Sequence, residues 1–153
     1  MTTIERLGAQ HQEVLARLAS TEAALDSQPS SDLGLFHTYL ELEVVAHFGL
    51  EEGALFPLLE RHMSPQFGPL AVMNAEHLEF RELLAAFGDA VRGGEVAVQT
   101  ACARHIIALL REHIAKEDQV LFPMAAQVLS ADELAEVEHR AAALGSATEP
   151  API

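Results

Sequence analysis

The sequence predicts an all-α protein: an antiparallel up-down-up-down four-helix bundle followed by a short fifth C-terminal helix. Three observations carry this expectation. Four long segments place apolar residues at helical spacing. Short stretches rich in Gly, Pro and Ser separate them, which favours antiparallel neighbours. The second half of the chain also repeats the first at a constant offset. No segment shows the alternation of a half-buried strand.

The first segment runs from about Thr3 to Leu25, with Ile4, Leu7, Leu15, Leu18 and Leu25 on one stripe. It ends at the loop DSQPSSD, where Ser30, Ser31 or Asp32 can cap the next helix. The second segment continues to about His62 on a stripe of Leu40, Val44, Leu55 and Leu58. The third starts near Gln66 or Pro69, carries Leu70, Met73, Phe80, Leu84 and Val91, and stops at Gly93-Gly94. The fourth runs from about Glu95 to Leu129, with Ile106, Leu110, Val120, Leu121 and Met124 on its stripe. Ser130-Ala131-Asp132-Glu133 has capping-box spacing and opens the fifth segment, which ends near Leu144-Gly145. Residues 1–145 thus form the domain, and 146–153 read as a flexible tail. Pro57 and Pro123 are expected to kink or end their helices.

Composition narrows the function. The 153 residues fit one domain with a proper core. Nine Lys and Arg stand against 23 Asp and Glu, a net charge of -14, which argues against nucleic acid and anionic membranes. A single cysteine, Cys102, excludes an internal disulfide and a Cys-rich metal site. No run approaches the roughly 18 apolar residues of a membrane span. MTTIERLGAQHQ lacks the apolar stretch of a signal peptide, so the expected location is the cytoplasm.

The chemistry lies in the repeat. HFGLEEGALFP (His47 to Pro57) and HIAKEDQVLFP (His113 to Pro123) keep His, Glu, Leu, Phe and Pro in register 66 residues apart, and His11 and His77 keep the same offset. A histidine and a glutamate four residues apart lie about 40° apart around a helix, one turn along. His47 and Glu51, and His113 and Glu117, therefore point the same way, and their stripes make that way inward. His11 and His77 lie among the apolar residues of their own segments. A single inward histidine is usually a hydrogen-bonded core residue, and a single His-x-x-x-Glu is often a surface pair. Six such groups on four helices are different. Burying two unpartnered carboxylates is costly, and cations offset that cost. Imidazole and carboxylate without thiolate suit iron, manganese or zinc. Six ligands exceed one tetrahedral zinc. The economical arrangement is two metals, each with two histidines, bridged by Glu51, Glu117 and a solvent-derived oxo or hydroxo group. That leaves an open position on each metal for small molecules.

These motifs, together with EHLEFR (Glu76 to Arg81), resemble the hemerythrin-like HHE cation-binding domains. The resemblance covers about Ile4 to Leu129. It implies a four-helix bundle with a non-haem di-iron centre at His11, His47, Glu51, His77, His113 and Glu117. Members carry oxygen, sense oxygen, iron or redox state, store iron, handle nitric oxide or peroxide, or help repair iron centres. Two departures point away from reversible oxygen carriage. Arg81 stands where the carriers have a further histidine, and the last acid is Glu117, four residues after its histidine, where they have an aspartate five residues on. The pattern resembles the bacterial branch with four histidines and two glutamates. The repair members also carry a cysteine-bearing N-terminal region, which is not seen here.

The expected function is therefore a di-iron protein reacting with oxygen, hydrogen peroxide or nitric oxide. The alternative is a non-enzymatic iron, oxygen or redox sensor or iron-binding module, and a metal-free helical interaction protein is a weaker rival. Arg81 is read on the inward stripe, either steadying a bridging glutamate or paired with a surface acid. Glu52 and Asp118 turn about 100° from the ligand acids. Solvation is the first reading for them and hydrogen bonding behind the ligands the second. Glu43 is a candidate proton relay. Tyr39, His37, His62, His105 and His139 are read as boundary residues. The fifth helix covers a bundle face or mediates a homodimer.

Overall fold

The computed structural model describes residues 1–28 and 33–148. Among these the chain is all-helical, a helical bundle without strands. Helix α1 spans Thr3–Ser27 and opens on a capping box: Glu5 N–H donates to Thr2 Oγ1, and Thr2 N–H to Glu5 Oε2. Helix α2 covers residues 34–59. The proposed caps Ser30, Ser31 and Asp32 lie outside the described residues, and Leu33 before the helix makes no side-chain cap. Helix α3 spans Pro69–Gly93 and ends at Gly94, whose φ of 68° is the left-handed conformation glycine adopts without strain. Helix α4 covers residues 96–128. Helix α5 spans Ala131–Thr148, entered through the reciprocal bonds of Ser130 and Glu133. It runs past Gly145 into the expected tail, whose remaining residues 149–153 lie outside the described ones.

The periodicity misses one feature. Helix α2 widens into π-helical turns at Leu40–Val44 and Glu51–Leu55, and α4 does so at Glu117–Leu121. The last two are equivalent under the 66-residue repeat, and each begins on a glutamate of the constellation. Each also lies just ahead of a proline, Pro57 or Pro123, whose ring cannot donate and would crowd the carbonyl four residues back. The wider turn relieves that conflict, so neither proline ends its helix: α2 continues to Leu59 and α4 to Val128. Such turns recur at functional sites.

The polar layer at mid-bundle divides the core in two. On one side Val14, Leu18, Phe36, Leu40, Phe80, Phe87, Ile106 and Leu110 pack together from α1 to α4. On the other, Leu7, Leu55, Leu58, Leu70, Met73 and Leu121 pack with Val137 and Ala141 of α5. Helix α5 approaches α2 closely at Gly53, where a Cβ would stand 2.7 Å from Leu144 Cδ1. Glu138 accepts from the backbone N–H of Thr3 at 2.9 Å and ties α5 to the start of α1. The fifth helix thus covers a bundle face. Val120, expected on the inner stripe, is 43% exposed, because it lies within the widened turn of α4.

Candidate metal centre

All six residues of the constellation are buried, with Glu51 and Glu117 fully so. Four helices bring them together. His11, His47, Glu51 and Glu117 form one cluster and Glu51, His77, His113 and Glu117 a second; in each, the ligand atoms lie within 4.8 Å of one another. The two glutamates belong to both. Nε2 of His11 lies 3.1 Å from Glu117 Oε1, and that of His113 3.2 Å. Nε2 of His47 and of His77 lie 3.4 and 3.3 Å from Glu51 Oε1.

A residue on a neighbouring helix fixes each imidazole from behind. Nδ1 of His11 bonds Asp118 at 2.7 Å, and Nδ1 of His77 bonds Glu52 at 2.8 Å. Nδ1 of His47 bonds Gln10 Oε1 at 2.8 Å, and Nδ1 of His113 bonds Glu76 at 3.0 Å. A carboxylate only accepts, so Nδ1 of His11, His77 and His113 carries the proton. The same tautomer suits His47 against Gln10. All four Nε2 lone pairs then face inward.

That arrangement leaves a deficit that hydrogen bonds do not fill. His11 Nε2 and His47 Nε2 stand 3.1 Å apart, two lone pairs facing each other. Both oxygens of Glu51, Oε2 of Glu117 and Nε2 of His77 and of His113 are buried without a hydrogen-bond partner. Unpaired buried carboxylates are expensive, and converging lone pairs repel. Cations between them resolve both problems. The donor set, imidazole plus carboxylate in two clusters sharing two acids, fits a pair of metal ions.

Electrostatics favour the ligating protonation state. Burial lowers the pKa of His47 and His113, and takes His77 down to about 4, so these three are neutral near pH 7. His11 differs. Burial would lower it, but Glu117 and Asp118 outweigh that and raise it. Burial would raise Glu52, yet Arg81 and His77 hold it below the usual carboxylate range; His113 and Lys116 do the same for Glu76.

Several expectations about the surroundings change. Glu52 and Asp118 are not merely solvated; they accept from ligand-type histidines on other helices. Arg81 does not lie on the inner stripe. It is 41% exposed and forks onto Glu52, Nη1 to Oε2 at 2.9 Å and Nη2 to Oε1 at 2.7 Å. An arginine one turn past His77 reaches solvent by its long stem while its head grips the acid behind that histidine. His37 is buried at the edge of Phe87, with Glu41 at 3.5 Å, not a boundary residue. His105 and His139 are exposed, and His62 bonds Glu133 at 2.8 Å. Tyr39 is half-buried under Arg17.

The comparisons with known proteins follow this geometry. The family model of the hemerythrin HHE cation-binding domain matches residues 2–125, which include all six clustered residues. The chain belongs to the hemerythrin family. Curated hemerythrin relatives include the iron-sulfur cluster repair protein YtfE of Escherichia coli O1:K1 and of Escherichia fergusonii, each 32% identical over 125 residues. The match takes in 74% of this chain and 56% of each relative, so the chain spans about half their length. No solved structure matches it. Among the described residues, no helix of this hemerythrin-family chain is long and apolar enough to cross a membrane.

Proposed function

We propose that the chain is a cytoplasmic di-iron protein whose antiparallel up-down-up-down bundle reacts with oxygen, hydrogen peroxide or nitric oxide. His11 and His47 hold one ion, His77 and His113 the other, and Glu51 and Glu117 bridge them beside an oxo or hydroxo group. The observation that carries this reading is the pair of facing lone pairs on His11 and His47, set against orphaned oxygens of Glu51 and Glu117. Bound iron would supply redox equivalents and open positions for a small ligand.

The chain's own residues set what reaches that place. A void of about 10 Å³ lies beside His11, His47 and His113, walled by Val14, Val44, Phe48, Leu110 and Ile114. It has room for about one water-sized molecule, and its apolar walls offer no hydrogen bond to larger polar substrates. From outside, a groove of about 570 Å³ between α1, α2 and α5 reaches His47 and Gln10. Glu43, exposed on that groove, is placed to pass protons between solvent and the His47 edge.

The test is direct. Protein from iron-replete cells is assayed for metal, then mixed separately with peroxide, nitric oxide and oxygen while the visible bands and product gases are followed. About two irons per chain with turnover of peroxide or nitric oxide is expected. A fully reversible oxygen adduct without turnover would restore a carrier. A second reading, an iron-handling module, is favoured by the relatives' printed role in iron-sulfur cluster repair. It predicts metal-dependent partner binding without turnover.

A further inference from the structure

The two metal positions of the proposed centre are related by the 66-residue repeat, yet the residues behind them are not equivalent. Glu76, behind His113, corresponds to Gln10, behind His47. Lys116, which donates to Glu76 at 2.6 Å, corresponds to Leu50. Arg81, which grips Glu52 behind His77, corresponds to Leu15. We infer that Glu76 with Lys116, and Glu52 with Arg81, make the His77/His113 position the tighter of the two, so that it fills first. This rests on the two-metal reading above and goes beyond it.

Two physical arguments point the same way. The first is donation. A carboxylate accepting from Nδ1–H raises the basicity of the opposite nitrogen more than a neutral amide does. Both histidines of the second position have a carboxylate behind them, whereas His47 of the first has only an amide. The cations offset part of this field, but Lys116 and Arg81 are 44% and 41% exposed, while Glu76 is only 12% exposed. Solvent screens the cations more than the buried acid. The second argument is preorganisation. Glu76 and Glu52 are each clamped by a cation at 2.6 to 2.9 Å, so their histidines are held in the binding orientation before metal arrives. Asp118 and Gln10 have no such clamp among the described residues. Stacking adds to the difference: His77 lies on Phe48, ring centroids 3.8 Å apart, and near Phe56, whereas His11 is stacked by Phe122 alone, at 5.4 Å.

The experiment titrates the intact metal-free chain with Co(II) without oxygen, and locates the ion by anomalous diffraction from crystals grown with one equivalent. The expected result is two steps with affinities separated on the order of tenfold or more, and a first ion between His77 and His113. Glu76→Gln with Lys116→Leu should weaken the first step on the order of tenfold. Gln10→Glu with Leu50→Lys should draw the second step toward it, with helical circular dichroism unchanged. A first ion at His11 and His47, or one divided evenly between the positions, overturns the inference and leaves the two-metal reading intact. Uptake of fewer than two ions at saturation defeats that reading itself. Should a paired variant fail to fold, the location of the first ion in the natural chain still decides.

Discussion

The two apolar regions either side of the polar layer are built differently. One draws on α1 to α4 and needs nothing else. The other is completed by Val137 and Ala141 of α5, a helix with no counterpart in the repeat. A repeated four-helix frame therefore closes one end of its core unaided and borrows a fifth element at the other. Between them lies a layer that packing alone does not stabilise, since its buried atoms lack partners.

Perturbing that layer should have the largest effect. Glu51→Ala and Glu117→Ala are expected to abolish most metal uptake, and to equal degrees, because the acids are equivalent under the repeat. Metal analysis of both variants checks this, and retention of two metals by either one breaks the symmetry. Stripping metal from the natural chain should lower its melting temperature at neutral pH, by linkage of binding to folding. Equal melting curves would show that the layer is stable without ions.

The self-sufficient end comes next. Phe87 is fully buried there, and Phe87→Ala should cost about 3–5 kcal/mol in denaturant unfolding. At the borrowed end, Gly53→Ala should cost less, on the order of 1 kcal/mol, because the clash is with the flexible tip of Leu144. A larger loss from Gly53→Ala than from Phe87→Ala would reverse the comparison.

The pH response of the metal-free chain sharpens it further. His77 titrates near 6.5 when unfolded and at about 4 when folded, and burial lowers His47 and His113 in the same sense. In that window the unfolded chain binds more protons, so stability falls as pH drops from above 6.5 toward 4. His11, raised by Glu117 and Asp118, opposes the trend in part. Urea midpoints that stay flat from pH 7 to pH 4.5 would contradict this assignment. The smallest effect should come from Glu133→Ala, which removes the cap of α5 and costs about 1 kcal/mol.

The helical segments and the six clustered residues were legible because both depend on short-range periodicity and on a repeat visible along one chain. The residues behind the histidines were not, because Glu52 serves His77 on α3 and Asp118 serves His11 on α1, and a period read along one helix does not say what faces it. A signal for them existed. Glu52 and Asp118, and Gln10 and Glu76, keep hydrogen-bond acceptors in the same register as the histidines. Arg81 was misplaced for a related reason: its position was read from its Cα, while its function lies at the end of a long side chain.

The widened turns have a consequence for chain length. Each accommodates one residue more than an α-helical turn, so removing one residue would let the helix close up and rotate everything beyond it by about 100°. In α2 that would turn Leu55 and Leu58 out of the core while leaving His47 in place. Chain length within 51–55 and 117–121 is therefore constrained even where residue identity is free. Single-residue deletions there should be far less tolerated than substitutions at the exposed Gln119 or Val120.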